Sequence, residues 1–75
     1  MIWAAAVDEQ ISRVVAAPPR EQWLALHGLA HAVERAPVRV RRVLRHLIAS
    51  ARQAGPAEIV ELALDARMAL ERDHA

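Results

Sequence analysis

The apolar residues of this chain recur at intervals of three and four, the spacing that places them on one side of a helix. In the first segment these positions are Trp3, Val7, Ile11, Val14 and Val15. The charged and hydroxyl side chains between them fall on the opposite side. The pattern predicts a first helix near residues 2–17.

Prolines and glycines divide the rest of the chain into three further helical segments. Pro19 suits the first turn of a helix, because a residue there needs no N–H donor. Gly55 is predicted to end a helix in the left-handed conformation, and Pro56 to open the next one. We therefore expect helices near 19–36, 37–53 and 56–73. At Pro37 the sequence allows either two separate helices or one kinked helix.

Each of these segments has an apolar stripe suited to a core. The second stripe is Trp23, Leu26, Leu29, Ala30 and Val33. The third is Val40, Val43, Leu44, Leu47 and Ala51. The fourth is Ile59, Leu62, Ala63, Ala66 and Leu70. Because short connections favour antiparallel neighbours, we predict one all-α domain over residues 1–75, a small four-helix antiparallel bundle.

Composition narrows the classes of protein that this chain can represent. Apolar residues make up 55% of it and aromatic residues only 3%, which favours helix over sheet. There is no cysteine, so disulfides and thiolate metal sites are excluded. The N-terminal segment has neither a basic start nor a long apolar run, so we expect a cytoplasmic protein without a membrane partner.

Charge is strongly segregated along the chain. Residues 1–34 carry a net charge of −2, residues 35–57 carry +6, and residues 58–75 carry −3. In the third helix, Arg39, Arg41, Arg42, Arg45 and Arg52 avoid the apolar stripe and form a candidate basic site for a protein or a nucleic acid.

An alternative is that the acidic residues of the fourth helix neutralise this basic site. A hairpin about Gly55 would bring Arg52 near Glu58, and Arg45 near Glu61 or Asp65. It would also bring Arg39 or Arg41 near Glu71. The sequence does not decide whether these pairs form.

The fourth helix has a second apolar stripe, Val60, Leu64 and Met68, nearly opposite its core stripe. A helix that is apolar on two sides either lies centrally within its own bundle or presents one stripe to another molecule. We treat Val60, Leu64 and Met68 as the candidate apolar site for a partner.

Candidates for metal binding and catalysis are weak. His27, His31 and Glu34 share one helix face and are the only candidate metal ligands, but their order differs from that of zinc-protease motifs. Neither Ser12 nor Ser50 lies in a nucleophile motif. We therefore expect no cofactor and no enzymatic activity.

These observations favour a small helical interaction protein that docks on another protein or on its own copy. Such a protein would act as a regulator, an inhibitor or an accessory subunit. The alternative is a nucleic-acid-binding protein that uses the arginine-rich third helix. The sequence does not identify the partner or the oligomeric state.

Overall fold

The computed structural model describes the backbone of residues 2–74 and the side chains of residues 4–72. Four helices form an all-α bundle, as predicted: α1 (Ile2–Ala16), α2 (Gln22–Val33), α3 (Val38–Ala51) and α4 (Pro56–His74). A 3₁₀ turn, Pro19–Glu21, precedes α2. The predicted helix bounds agree with these within two residues, except for the second helix. The side chain of Trp3, predicted to belong to the core stripe of α1, lies outside the described residues.

The predicted second helix, 19–36, is too long at both ends. At its start, the N–H of Gln22 bonds to the carbonyl oxygen of Pro19, three residues earlier, so this turn is wound as a 3₁₀ helix. At its end, Pro37 has no N–H with which to bond the carbonyl of Val33. The Ala36 N–H takes that carbonyl instead, at 3.0 Å.

Helices α2 and α3 are therefore separate helices rather than one kinked helix. Pro37 has extended backbone angles (φ −59°, ψ 158°), which turn the chain sharply between them. Its carbonyl oxygen then accepts the N–H of Arg41 at 2.9 Å and starts the hydrogen-bond ladder of α3. The restriction that a proline imposes on itself and on the preceding residue explains this corner.

The prediction that Gly55 adopts a left-handed conformation is wrong. No residue of the described backbone, glycine or other, has a positive φ. The end of α3 is closed by three-residue turns instead, with the Gln53 N–H on Ser50 and the Ala54 N–H on Ala51, both at 3.2 Å. Gly55 then contributes its carbonyl oxygen, which accepts the Ile59 N–H at 3.0 Å in the first turn of α4.

The helices pack in chain order around one core, and α1 also contacts α4, which closes the ring. The side chain of Gln22, only 2% exposed, donates a hydrogen bond from Nε2 to the carbonyl of Pro56 at 3.2 Å. This bond places the starts of α2 and α4 at the same end of the bundle. Successive helices therefore run in opposite directions, which is the predicted antiparallel arrangement.

Most of the predicted core residues are buried. The buried apolar side chains are Val7, Ile11, Val14, Leu26, Leu29, Val33, Ala36, Val40, Leu44, Leu47, Ala51, Ile59, Ala63 and Ala66. Val15, Val43, Leu62 and Leu70 are partly buried against them. Two predicted core residues differ: Ala30 is only half-buried, and Trp23 is 50% exposed. The core position next to it is occupied by Gln22.

Candidate partner-binding surface

The arginines of α3 lie on two edges of that helix. The side of α3 that faces α4 is marked by Val43 and Leu47, which line a groove between the two helices together with Arg42. Steps of 100° per residue place Arg39 on this same edge, and place Arg41, Arg45 and Arg52 on the edge towards α2. Arg41 is half-buried and the other four arginines are exposed.

None of the predicted ion pairs between α3 and α4 is present among the described side chains. The ion pairs that the described side chains form are Arg13 with Glu9 within α1, at 2.8 Å, and Arg67 of α4 with Asp8 of α1, at 3.5 Å. The prediction for Arg45 and Arg52 fails because both point to the α2 edge of α3, away from the carboxylates of α4. Within the described part of the chain, no carboxylate of α4 therefore lies within ion-pair distance of the basic site.

The basic residue of α4 that pairs instead is Arg67, which connects α4 to α1. Its Nη2 donates to the hydroxyl oxygen of Ser12 at 2.7 Å, and its Nε lies 3.5 Å from Oδ1 of Asp8. Nε is buried and has no hydrogen-bond partner. This contact between helices was not predicted, because Ser12 and Asp8 were assigned only to the polar side of α1.

The second apolar stripe of α4 lies at the surface of the bundle. Val60 is half-buried, Leu64 is 40% exposed and Met68 is 58% exposed. α4 is therefore not a central helix with two covered sides. Leu64 and Met68 lie among the exposed charged residues Glu61, Asp65 and Arg72.

Met68 also lines the groove between α3 and α4, so the structure brings the apolar and basic candidates together. The groove has a volume of about 550 Å³. Its lining residues are Arg42, Val43, His46, Leu47, Asp65, Ala66, Met68, Ala69 and Arg72. Five of these residues are apolar, Arg42, His46 and Arg72 supply basic or imidazole groups, and Asp65 supplies a carboxylate. Such a groove can take an apolar side chain with polar groups of either charge beside it.

A second surface lies where α2 meets α3. Ala25 and Gly28, on one flank of α2, line a cleft with Gln10 and Arg13 of α1. Trp23 lies on the opposite flank, which faces α3. It is at the start of α2 and therefore level with the end of α3, on the edge that carries Arg52.

Sequence reasoning assigned Trp23 to the core because it is large and apolar. The rotation of 100° between successive helical residues already separates Trp23 from the core stripe. Gln22, Leu26, Leu29 and Val33 form one stripe, and Trp23 lies about 90° from its centre. A buried glutamine was not expected at the head of that stripe.

The histidine pair of α2 does not form part of a metal cluster. The rings of His27 and His31 are edge-to-face, with centroids 5.0 Å apart. Within the described residues, no three histidine, aspartate or glutamate side chains are grouped so that they could hold a metal ion, and this includes His27, His31 and Glu34.

Comparison with known proteins does not indicate a function, so a functional proposal rests on the fold and the surface. No protein-family model, no curated protein and no solved structure matches this chain. Between residues 2 and 74, none of the helices combines the length and the apolar composition needed to cross a membrane.

Proposed function

We propose that this chain is a non-enzymatic interaction protein that binds another protein, or a second copy of itself, through the outward face of α3 and α4. The observation that supports this proposal is the exposure of Leu64 and Met68 beside arginines that have no carboxylate partner among the described side chains. Apolar side chains at the centre with charged groups around them are typical of a protein interface. A regulator, an inhibitor or an accessory subunit in the cytoplasm would use such a face.

The experiment is a binding assay with the immobilised protein and a variant that carries Leu64→Glu and Met68→Glu. Both positions are exposed, so the substitutions should leave the helical circular dichroism unchanged. We expect them to abolish capture of the partner, because each places a charge at the centre of the interface.

Leu24→Glu is the matched control, because Leu24 is 75% exposed on α2, away from this face. It makes the same chemical change and should leave capture intact. Nuclease treatment before capture distinguishes a protein partner from one that is held through nucleic acid. Equal capture by all three proteins would refute the proposal.

A second candidate function is nucleic-acid binding at the junction of α2 and α3. The observation that favours it is the half-exposed Trp23 on the flank next to the edge of α3 that carries Arg45 and Arg52. Arginines attract phosphates and an exposed indole can stack on a base, a combination found in proteins that bind single strands.

A titration of a labelled single-stranded oligonucleotide at several salt concentrations tests this second function. Contacts with several phosphates make affinity fall steeply as salt rises. We expect Trp23→Ala and Arg45→Glu each to weaken binding, and Met68→Glu, on α4 and away from Trp23, to have little effect. Absence of binding at low salt would exclude this function.

A further inference from the structure

The outward face of α3 and α4 has one positive half, on α3, and one largely negative half, on α4. On α3, the exposed charged side chains are all positive: Arg39 and Arg42 lie towards α4, and Arg45 and Arg52 lie at the edge towards α2. On α4, the exposed side chains Glu58, Glu61, Asp65 and Glu71 are negative, with Glu71 at the edge towards α1. Arg72 is the one exposed basic residue among the described positions of that helix. A face with one positive and one negative half is complementary to a copy of itself turned by 180°.

We propose that a second copy of this chain occupies this face, with α3 of each protomer packed on α4 of its partner. The inference rests on the proposed function, for which it names the partner. A two-fold axis parallel to the helices produces this arrangement, because it exchanges the two halves of the face and leaves every residue at its own height along the bundle.

The height of a residue is its position along the long axis of the bundle, and the groove between α3 and α4 shows which residues of the two helices have the same height. Its lining places Arg42 to Leu47 of α3 opposite Asp65 to Arg72 of α4. Because the helices are antiparallel, the next turns of α3 towards Gly55 bring Arg52 level with Glu61. At the other end of the face, Arg42 is level with Glu71.

In the dimer, each of these heights joins opposite charges from two protomers. Arg52 faces the partner's Glu61, and Arg42 faces the partner's Glu71. By symmetry each pair forms twice. These are the kind of ion pairs that the sequence predicted within one chain, but between protomers they do not require Arg52 to reach around α3.

The centre of the same face is apolar. Leu64 and Met68 of one protomer are level with Ala49 and the aliphatic stem of Arg45 on the partner. Ala49 is exposed in the single chain, so it leaves room for the larger side chains. Burial of Leu64 and Met68 supplies the hydrophobic contribution that surface ion pairs alone do not provide.

A second copy fits this face better than a nucleic acid or an acidic partner. The carboxylates of α4 repel phosphates and acidic side chains that lie across both helices. Arg72 is near the height of Arg42, so it opposes the dimer at one position. The adjacent Glu71 compensates for this like-charge approach.

The size of the face sets the expected strength of the dimer. The Cα atoms of the bundle span 31 × 19 × 18 Å, so one long side covers roughly 590 Å². Two such sides bury at most roughly 1,200 Å², the lower limit of standard protein interfaces. We therefore expect a dimer that dissociates on dilution.

Sedimentation velocity across a concentration series tests the proposal. The expected mass rises from the 8.3 kDa of one chain towards twice that value. Arg52→Glu alone and Glu61→Arg alone should each raise the dissociation constant about tenfold, because each change sets two like-charge pairs against each other.

The variant with both Arg52→Glu and Glu61→Arg restores opposite charges and should dimerise like the wild-type protein. Arg20→Glu, on the exposed 3₁₀ turn, is the control for the same change of charge elsewhere. Circular dichroism confirms that each variant is folded.

The outcomes separate this inference from the proposed function. A wild-type chain that stays monomeric, but captures another protein in a way that Leu64→Glu and Met68→Glu abolish, overturns the dimer and leaves the proposed function standing. A dimer that none of these substitutions weakens overturns the use of this face altogether. Failure of the charge exchange to restore dimerisation overturns the arrangement of α3 on the partner's α4.

Discussion

The contribution of Arg67 to stability gives a test of how α4 is held on α1. This side chain is 28% exposed, so its aliphatic stem is largely covered where the two helices meet. Its guanidinium bonds to Ser12 but leaves the buried Nε without a hydrogen-bond partner. We expect the stem to contribute more to stability than the charge does.

The magnitudes support this expectation. A buried methylene contributes about 0.8 kcal/mol, and Arg67→Ala keeps Cβ and removes the other two methylenes of a mostly covered stem, so the truncation should cost roughly 1.5 kcal/mol. Arg67→Met keeps the stem and removes the guanidinium. Loss of the hydrogen bond to Ser12 should lower the free energy of unfolding by about 1.5 kcal/mol or more. Removal of the unpaired buried donor should raise it by about 1 to 3 kcal/mol.

The ion pair with Asp8 adds little to this balance, because the Asp8 side chain is 69% exposed and such pairs contribute about 0 to 1 kcal/mol. Arg67→Met should therefore lie within about 1 kcal/mol of the wild-type free energy of unfolding. For a chain of this length the total free energy of unfolding is roughly 4 to 11 kcal/mol, so the loss in Arg67→Ala is readily measured.

The assay is urea denaturation followed by circular dichroism, with all proteins at one low concentration. Arg72→Met is the matched control, since Arg72 is exposed on the same helix and its replacement should change the free energy of unfolding by less than about 0.5 kcal/mol. If Arg67→Met destabilises the protein as much as Arg67→Ala, the guanidinium contacts dominate and the reasoning is refuted.

Three further substitutions test the packing by the same denaturation assay. Gly55→Ala should change the free energy of unfolding by less than about 1 kcal/mol, because the smaller freedom of alanine in the unfolded chain favours it by about 0.4 to 1 kcal/mol, whereas alanine is less favourable than glycine at the N-cap of α4. Apart from its chain neighbours, no atom lies within 4 Å of the added methyl, so a loss above about 2 kcal/mol would contradict the open space there. Gly28→Ala should gain less than the ~1 kcal/mol typical of a helix interior, because a Cβ there lies 2.7 Å from Oε1 of Gln10, which must move; a gain of that full amount would contradict the contact. Leu44→Ala, at a fully buried position, should cost about 2.7 to 5 kcal/mol, and a loss below about 1 kcal/mol would show that Leu44 is not in a packed core.

Local patterns predicted the fold well because its elements have local causes. The three- and four-residue spacing identified all four helices, and the prolines at 18, 19, 37 and 56 identified the corners between them. The second helix was predicted too long because a proline affects more than its own position. Pro37 leaves the Val33 carbonyl to a three-residue turn, and Pro19 starts a 3₁₀ turn.

The candidate site was predicted only as separate parts. Leu64 and Met68 were identified as a second stripe, and Arg42 as part of a basic helix, but the groove that joins them depends on the rotation of two helices about their own axes. Trp23 was missed for a related reason. Hydrophobicity favoured burial, whereas its position on the helix places it on a flank that no neighbour covers completely.

The sequence by itself determined four helices, their order, an apolar stripe on each and a concentration of arginine on the third. The tertiary structure decided which flank of each helix faces a neighbour. The periodicity of a helix fixes the angles between its own side chains, but contacts between helices depend on how each helix is rotated and which partners lie within reach. For that reason Arg39, Arg42, Arg45 and Arg52 remain exposed and Arg67 binds to α1. For the same reason Leu64 and Met68 face outward. Their positions around α4 follow from the sequence, but which side of α4 is exposed does not.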